Sequence, residues 1–392
     1  MNMMKRELPV GAVVHERYRV ERVLGSGGFG ITYLVTDTRD GQRAAMKEYM
    51  PLDTALRAAD GRSVRPHSES SLESYEKFRQ KFLDEAQTLY RFRAHPNVVA
   101  VRHLFCENNT VYYVMEYLDG LDLEHYRRRS GGQLTWNALR PVVAQIVSAL
   151  EAVHGAGLVH CDVSPDNIML LDGRRVKLLD FGAARSTLRG TIETSMIVAK
   201  YGFAPPEQMQ GRNLGPWTDV YALGATIYAC VVGRRPPRCE ERLAEDKIVW
   251  PTQLGLCIPS AQWETALRRA MELRRERRYQ SVSAFWSALD CALRVKCLKG
   301  RMAGRERAIS GEVLLGTDAA RCQLVYPADS AGVDRVQLRF WTDGGALMVM
   351  DMGSRFGTRL GGRRMTAGLA YRFSPGALLE FGGEIYISSE SR

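Results

Sequence analysis

The sequence lacks the features typical of disulfide-rich, zinc-binding and membrane-spanning proteins. Its 392 residues include eight cysteines, but no C-x-x-C pair and no histidine cluster with zinc spacing occurs. We therefore expect reduced thiols and a cytoplasmic location. The most apolar stretch, residues 220–233, is too short to cross a bilayer, and the N-terminal residues contain no apolar run typical of a signal peptide. No transmembrane segment is expected.

Aromatic residues are absent from the two most basic stretches, LRRAMELRRERR (267–278) and RVKCLKGRMAGRER (294–307). The formal net charge of the chain is +10, yet single-stranded nucleic acids are bound where aromatic side chains accompany basic ones. We therefore expect solvated basic surfaces and no specific nucleic-acid site. An acidic partner or a membrane surface is the alternative explanation of the charge.

The periodicity of apolar residues changes twice along the chain. Alternating runs after Tyr18 predict strands, and SYEKFRQKFLDEAQTLYRF (74–92) has a helical period. Beyond Leu134 the pattern is helical, and after Gly300 short β-type runs return. We predict five parts in this order: an N-terminal extension (1–17), a β-rich lobe (18–117), a helical lobe (118–295), a basic linker (296–307) and a small all-β sandwich (308–392).

A glycine-rich sequence, GSGGFG, lies between two predicted strands and contains Gly25, Gly27, Gly28 and Gly30. Glycine-rich turns expose backbone N–H groups and allow phosphates to approach the main chain. A dinucleotide site would place a helix after this turn, but a strand is predicted here. Lys47 lies among apolar residues in the following strand and therefore needs an anionic partner, for which Glu85 on the predicted helix is the candidate.

The sequence HCDVSPDN (160–167) places Asp162 five positions before Asn167. At this spacing one residue can accept the proton of a hydroxyl group and the other can hold a metal ion. Downstream, an apolar run ends in Asp180, Phe181 and Gly182. The order of these short motifs favours phosphoryl transfer.

Taken together, the motifs resemble those of the eukaryotic-like protein kinases, over residues 18 to about 295. The set comprises GSGGFG, AMK, Glu85, HCD-x-x-x-x-N, DFG, FAPPEQ (203–208) and DVYALG (219–224). The resemblance implies an α+β bilobal protein kinase fold with ATP and Mg²⁺ (or Mn²⁺) as cofactors. It further implies that the glycines cover the ATP phosphates and that Lys47 contacts these phosphates while paired with Glu85. By the same resemblance, Asn167 and Asp180 hold the metal ion, and Asp162 orients the acceptor hydroxyl.

The same resemblance implies an adenine site between the lobes. Residues Glu116 to Leu118, after Met115, would bind adenine through their backbone, and Leu170 would lie beneath its ring. In the helical lobe, it implies a buried ion pair between Glu207 and Arg278 and a bracing role for Asp219 behind the catalytic loop.

Cys161 replaces the arginine that in most of these kinases neutralises a phosphorylated activation loop. Its absence argues against that mode of switching. Several hydroxyl groups in the following loop are nevertheless candidates for autophosphorylation: Ser186, Thr187, Thr191, Thr194 and Ser195.

A second departure concerns the lysine that usually lies two residues after the catalytic aspartate, where this chain has Ser164. Aligning Pro205, Pro206 and Glu207 with the A-P-E motif puts Lys200 where the related kinases have threonine. We therefore predict an exchange of the two groups, in which the Lys200 ammonium reaches the γ-phosphate from the opposite wall of the site.

Pro165, in the loop that contains Asp162, resembles the residue that serine/threonine kinases have at this position, whereas tyrosine kinases have a different loop. We therefore expect protein substrates phosphorylated on serine or threonine, with autophosphorylation. One alternative is a small-molecule phosphotransferase, although those enzymes generally lack the PPE and DVYALG segments. The other is a catalytically weak scaffold, which would have no need of all five catalytic residues.

The final residues resemble a forkhead-associated (FHA) domain, which ordinarily binds phosphothreonine. Three residues that ordinarily bind the phosphothreonine in this family are replaced. Thr317, after Gly316, occupies the position of the usual arginine, Asp334 that of the serine and Phe356 that of the asparagine. An aspartate repels a phosphate dianion, and the strongest contact, a bidentate arginine, is missing. We therefore predict a degenerate domain that docks a protein partner or the kinase lobe. Kinases with such modules resemble bacterial signalling proteins.

Overall fold

A computed structural model describes residues 6–28, 30–172, 175–180, 185–186, 200–290, 293–309, 312–343 and 346–390. Phe181, Gly182, Thr187, Thr191, Thr194 and Ser195 lie outside these residues. None of the helices within the described ranges is long and apolar enough to cross a membrane.

The N-terminal lobe is built on an antiparallel sheet with one long helix against it. Its elements are β1 (Val13–Val14), β2 (Tyr18–Ser26), β3 (Gly30–Asp37), β4 (Arg43–Tyr49), β5 (Ala55–Arg57), β6 (Val64–Pro66), α1 (Leu72–Arg91), β7 (Val101–Glu107) and β8 (Thr110–Glu116). The sheet order is β1-β2-β3-β4-β8-β7. Helix α1 buries Tyr75, Phe82 and Leu89, which follow the helical period of the sequence.

Residues before Tyr18 are part of this lobe. Strand β1 pairs with β2, and Leu8, Ala12 and Val14 are buried in the hydrophobic core. The residues that we expected to form an extension therefore contribute to the packing of the lobe from position 8 onward.

The stretch between Lys47 and Glu85, to which the sequence assigned no role, contains the β5–β6 hairpin. Its Arg57 is buried and donates hydrogen bonds of 2.6 Å to both carboxylate oxygens of Glu48, with further bonds to the carbonyl of Arg6. Because side chains alternate across a strand, Glu48 lies on the opposite face of β4 from Lys47. The backbone N–H of Leu52 donates to the carbonyl of Gly28 at 2.8 Å. The hairpin thus fastens the N-terminal segment to β4, and the connection that precedes the hairpin holds the glycine-rich turn.

The C-terminal lobe is mainly helical, as predicted. Its elements are β9 (Gly120–Asp122), α2 (Leu123–Arg129), α3 (Trp136–Gly155), β10 (Leu158–Val159), β11 (Ile168–Leu171), β12 (Arg175–Leu178), β13 (Arg185–Ser186), α4 (Pro206–Met209), α5 (Pro216–Val232), α6 (Cys239–Ala244), α7 (Ala261–Ala270) and α8 (Val282–Leu289). Helix α5 is buried along nearly its whole length, because its apolar residues surround the axis rather than forming one stripe. It contains the apolar stretch that the sequence excluded as a membrane span.

The remaining strands form two sheets with a hydrophobic core of their own. They are β14 (Leu293–Lys299), β15 (Glu306–Ala308), β16 (Val313–Gly316), β17 (Leu324–Val325), β18 (Leu338–Asp343), β19 (Ala346–Asp351), β20 (Arg359–Leu360), β21 (Arg363–Arg364), β22 (Ala370–Arg372), β23 (Leu378–Phe381) and β24 (Glu384–Glu390). The sheet orders are β15-β14-β24-β23-β20-β21 and β17-β16-β18-β19-β22. This confirms the all-β sandwich after a two-lobed α+β unit.

The expected basic linker at 296–307 is wrong, and the helical lobe does not reach residue 295. Strand β14 pairs along its length with the last strand, β24, and β15 pairs with β14. Leu293, Val295 and Cys297 are buried, so the basic residues of β14 alternate with a core-facing row. The density of charge suggests a linker, but the period of two is typical of a half-buried strand.

Candidate active site

The cleft side of the N-terminal lobe carries Lys47 on β4 and Glu85 on α1. The Lys47 Nζ atom lies 3.1 Å from Oε1 of Glu85 and 3.3 Å from Oδ1 of Asp180. Burial opposes the charge on Lys47, but Asp180 and Glu85 together raise its pKa well above the ordinary value. Burial also raises the pKa of Glu85 to about 7, although Lys47 acts in the opposite direction. Three residues far apart in sequence thus form one ionic group, in which Lys47 and Glu85 are largely buried and the Asp180 side chain is 42% exposed.

The sequence did not indicate the part played by Tyr113. It lies opposite Lys47 in the β4–β8 register, and its hydroxyl donates to Oε1 of Glu85 at 2.9 Å. A buried tyrosine hydroxyl normally finds a polar partner, but only the register of two strands reveals which one. Tyr113 therefore positions the Glu85 carboxylate for Lys47.

The glycine-rich turn connects β2 and β3 above this group. A Cβ atom at Gly30 would lie 2.3 Å from the carbonyl oxygen of Glu48, so only glycine permits this close approach of β3 to β4. The Gly27 N–H donates to the Gly30 carbonyl at 2.9 Å and closes the turn. Among the described residues, no heavy atom lies within 4 Å of a Cβ built at Gly25, Gly27 or Gly28, which leaves room beside this backbone.

The catalytic loop holds Asp162 and Asn167 in direct contact. The Asn167 Nδ2 group donates to Oδ2 of Asp162 at 2.7 Å and to its backbone carbonyl at 2.9 Å. Burial raises the pKa of Asp162 to about 7, while the charge of Lys200 lowers it and that of Asp180 raises it. The five-residue spacing in the sequence therefore corresponds to a turn that places the Asn167 side-chain amide beside the Asp162 carboxylate.

Asp219, at the start of α5, supports this loop from behind. Its carboxylate accepts the backbone N–H groups of His160 and Cys161 at 2.8 Å each, and His154 Nε2 lies 2.7 Å away. Cys161 has a φ of 63°, a left-handed conformation that a non-glycine residue adopts only when its surroundings hold it there. Gln208 Nε2 donates to the Cys161 carbonyl at 2.6 Å. The loop geometry therefore depends on two residues that follow it by more than forty positions.

Lys200 lies against the catalytic loop. Its Nζ atom donates to Oγ of Ser164 at 2.8 Å and lies 3.8 Å from Oδ1 of Asp162 and 3.9 Å from Oδ2 of Asp166. Ser164 is fully buried, whereas Lys200 is 28% exposed. The amine of one segment and the hydroxyl of the other thus meet beside Asp162. Asp166 was not predicted to belong to this group, because nothing in its local sequence indicates a partner.

Comparison with known proteins agrees with this geometry. The family model for the protein kinase domain matches residues 18–273. The chain belongs to the protein kinase family. The family model for the FHA domain matches residues 313–382.

The kinase is similar to several bacterial proteins. It is 32% identical to the serine/threonine-protein kinase PknA of Mycobacterium tuberculosis over 58% of this chain and 49% of that protein. It is 32% identical to the serine/threonine-protein kinase Pkn1 of Myxococcus xanthus over 73% of this chain and 40% of that protein. The chain spans about half the length of these curated relatives or less. A solved structure described as the apo form of PpkA-294 is 31% identical, with a TM-score of 0.65, and covers 73% of this chain and 100% of its own.

Two oxygen-bearing side chains of the kinase are suited to a metal ion. Asn167 directly precedes β11, and Leu179 directly follows β12, which pairs with β11. The Leu179 N–H donates to the Asn167 carbonyl at 2.8 Å, and this bond brings the next residue, Asp180, close to Asn167. Among the described residues no group of three or more His, Cys, Asp or Glu side chains forms a metal site. Mg²⁺ prefers carboxylate and amide oxygens and typically takes one or two protein ligands together with phosphate oxygens. The Asp180 and Asn167 side chains fit such an ion.

The connection between the lobes begins where β8 ends. The Glu116 carboxylate accepts the N–H of Ala100 at 2.8 Å and lies 2.6 Å from Nζ of Lys177. Its side chain is therefore held by the protein, and a ligand would meet only its backbone. Leu170 is buried on β11, and Leu118 packs against the main core.

The segment after Lys200 is anchored to the helical lobe. Arg278 NH1 lies 2.7 Å from Oε1 of Glu207, and Arg278 NH2 lies 3.1 Å from Oε2. The Arg278 side chain is 0% exposed. Thr218 also donates to Glu207, at 3.1 Å. The Glu207–Arg278 pair that the family resemblance implied is therefore present and buried.

The C-terminal sandwich has its own loop cluster at the positions expected from the FHA resemblance. Asp334 Oδ2 accepts the backbone N–H of Arg355 at 2.5 Å, and the Asp334 carbonyl accepts the N–H of Thr317 at 3.1 Å. Phe356 is 65% exposed. The carboxylate that replaces the usual serine thus uses a backbone donor of the neighbouring loop. The Arg355 N–H is therefore directed at the Asp334 carboxylate and not at an external anion.

Proposed function

We propose that the chain is an ATP-dependent serine/threonine protein kinase that autophosphorylates and regulates a bacterial cytoplasmic pathway. The observation that carries this proposal is the ionic group of Lys47, Glu85 and Asp180, together with the Asp162–Asn167 contact across the cleft. A buried lysine with two carboxylates and an aspartate–asparagine pair is the arrangement that phosphoryl transfer from ATP requires. The free cysteine thiols among the described residues support a reducing compartment.

In this proposal, each side chain has one task. The glycine-rich turn binds the ATP phosphates through its backbone, Lys47 contacts them, and the backbone of residues 116–118 binds adenine above Leu170. Asn167 and Asp180 hold Mg²⁺ (or Mn²⁺), which neutralises charge on the phosphates when bound. Asp162 accepts a hydrogen bond from the acceptor hydroxyl and orients it for attack.

Lys200 is proposed to supply the cation that the catalytic loop lacks. Its hydrogen bond with Ser164 and its 3.8 Å distance from Asp162 support an exchange of lysine and hydroxyl between the two segments. Electrostatic stabilisation depends on where the charge lies, not on which segment supplies it. From this position the ammonium contacts the γ-phosphate as Asp162 orients the hydroxyl.

The alternatives find less support. A small-molecule phosphotransferase would have no need of the anchored segment around Glu207, which is suited to a protein substrate. A scaffold without activity would not require Lys47, Glu85, Asp162, Asn167 and Asp180 to lie in one cleft.

The first test measures phosphate transfer directly. With labelled ATP and a generic protein acceptor, we expect the full chain to label serine or threonine in itself and in the acceptor. Asp162→Asn should lower the rate by roughly 10²–10⁴, because a positioned acid–base group contributes about that factor. The thermal unfolding midpoint of Asp162→Asn serves as its control for folding. Absence of any phosphoprotein, or phosphate in a small molecule alone, would contradict the proposal.

For the C-terminal domain, we propose docking of a protein partner without the usual phosphothreonine recognition. The proposal is supported by Asp334, whose carboxylate both repels a phosphate and takes the Arg355 N–H. Thr317 offers no bidentate cation in place of arginine. Arg335, a candidate to compensate, pairs with Asp318 at 3.3 Å.

The second test uses titration calorimetry on the full chain carrying Asp162→Asn, so that peptides are not phosphorylated. A phosphothreonine peptide library should give no phosphate-dependent heat, whereas Thr317→Arg combined with Asp334→Ser should gain binding, since a bidentate cation replaces a repulsive charge. A fragment beginning at residue 305 is unsuitable, because it removes β14 from the sheet. Micromolar, phosphate-dependent binding by the parent chain would refute the proposal.

A further inference from the structure

The segment that carries Lys200 packs directly against the loop that follows α5. Gly202 has a φ of 88°, and a Cβ atom there would lie 2.7 Å from the carbonyl of Pro236 and 3.6 Å from Cβ of Arg235. Only glycine allows this approach. Residues 200–204 and 233–238 therefore form one continuous surface beside the catalytic loop.

Two arginines of this loop lie over aromatic rings of the Lys200 segment. The Arg238 guanidinium carbon lies 3.7 Å from the centre of the Tyr201 ring, and that of Arg235 lies 5.7 Å from the Phe203 ring. Tyr201 is 57% exposed, and the Arg235 side chain is 54% exposed. A guanidinium that stacks on a ring keeps its N–H groups at the edge, where they can bind a carboxylate or phosphate with two hydrogen bonds.

A series of short contacts connects Arg235 with the proposed reacting centre. Arg235 NH2 lies 3.7 Å from Oδ2 of Asp166, Asp166 lies 3.9 Å from Lys200, and Lys200 lies 3.8 Å from Asp162. An extended peptide advances about 3.3–3.6 Å per residue. A side chain within about three residues of an acceptor at Asp162 therefore reaches Arg235, and Arg238 lies three positions further along the same loop.

The charge of this surface is not balanced by the protein. Asp166 faces both Lys200 and Arg235. Glu241, three positions after Arg238, accepts the backbone N–H of Arg238, and Glu240 accepts from the Cys239 thiol. Among the residues that the structure describes, no carboxylate forms an ion pair with the Arg238 guanidinium. The surface therefore keeps an excess of positive charge directed at solvent.

We infer that Arg235 and Arg238 select substrates with an anionic side chain close to the phosphorylated residue. This inference rests on the proposed protein kinase activity and names the class of its substrates: peptides with aspartate, glutamate or a phosphorylated residue within about three positions of the acceptor. The arginines act on binding of the peptide and not on transfer of the phosphate. Their contribution is exposed to solvent and therefore decreases as salt increases.

The test is a peptide series with one acceptor and an otherwise uncharged sequence. Aspartate, phosphoserine, alanine or lysine is placed at each neighbouring position on either side. We expect the best aspartate peptide to have a KM about fivefold to tenfold below that of the alanine peptide, with similar kcat, since each exposed ion pair contributes at most a few-fold. The phosphoserine arm shows whether a phosphate serves as well as a carboxylate. Either preference supports the inference.

Variants distinguish this surface from a general effect of charge. Arg235→Gln combined with Arg238→Gln should remove the difference between aspartate and alanine peptides, and Arg235→Glu with Arg238→Glu should favour lysine peptides. Arg102→Gln, on the edge strand β7, should retain the preference. Equal KM values for all peptides in the parent chain, or an unchanged preference in the double variant, would overturn the inference while leaving the kinase activity intact. Failure to phosphorylate any peptide or protein would instead refute the proposed function.

Discussion

Replacing Lys200 with threonine is expected to lower kcat by roughly 10²–10³, because a preorganised donor to the transition state contributes about that factor. The ammonium lies 2.8 Å from Ser164 Oγ and 3.8 Å from Asp162 Oδ1. In the proposed mechanism, this is the place where the γ-phosphoryl group is transferred to the acceptor hydroxyl. Ser164→Lys alone should also reduce kcat, since it places a second ammonium group against the first. The double variant should recover most of the activity, because it restores one amine and one hydroxyl in exchanged positions.

The measurement is kcat with saturating ATP and a fixed protein acceptor for all four chains. Lys247→Thr, which removes an exposed lysine that pairs with the equally exposed Glu245, is the matched control and should leave kcat unchanged. Full activity of Lys200→Thr would show that the lysine is only a loop residue. A double variant as weak as Lys200→Thr would show that the two positions do not exchange roles.

Replacing Arg278 with alanine is expected to destabilise the kinase domain by about 3–5 kcal/mol. The change leaves the Glu207 carboxylate buried without its guanidinium, and an uncompensated buried charge costs far more than the pair contributes. Glu207→Gln combined with Arg278→Met should be much less destabilising, because neither charge remains. The free energy of unfolding in urea, followed by tryptophan fluorescence, reports mainly on this domain, since only Trp341 of the six tryptophans lies in the C-terminal sandwich.

Arg275→Ala is the matched control for this experiment. Arg275 is partly exposed and pairs with the adjacent Glu276, so its loss should cost about 0–1 kcal/mol. Equal losses for Arg275→Ala and Arg278→Ala would contradict the argument from burial. The buried pair also anchors the segment that carries Lys200, so Arg278→Ala should reduce kinase activity before the domain unfolds.

Short-range patterns in the sequence were sufficient to predict most of the site. Asp162 and Asn167 lie five residues apart and meet through one turn, and the four glycines belong to one hairpin, so local sequence determines both arrangements. Glu85 was predicted from a helical period and the need of a buried lysine for an anion. The exchange of Lys200 and Ser164 required two departures to be considered together, and their roles remain a proposal for the kinetic cycle to test.

Local patterns failed where partners come from distant elements. Tyr113 contacts Glu85 only because β8 pairs with β4, and Gln208 and Asp219 reach Cys161 from helices that follow it. The basic residues of β14 resembled a linker because nothing nearby indicates their pairing with β24, some ninety residues later. The β5–β6 hairpin acquires its role through Arg57, which donates to the carbonyl of Arg6, 51 positions earlier, as well as to Glu48.

The sequence by itself determined the types and order of the chemical groups, the two-lobed architecture and the β-sandwich, because motif spacing and apolar period are local properties of the chain. Only the tertiary structure decided which charges are buried together, which backbone conformations are held under strain and which arginine, Arg238, has no ion pair among the described residues. These properties depend on distance and on exclusion of water, and burial strengthens electrostatic interactions between groups that the chain brings together from remote positions. For that reason the candidate catalytic residues were predicted from motifs, whereas the positive surface beside Asp162 became visible only when residues 200–204 and 233–238 were seen to lie side by side.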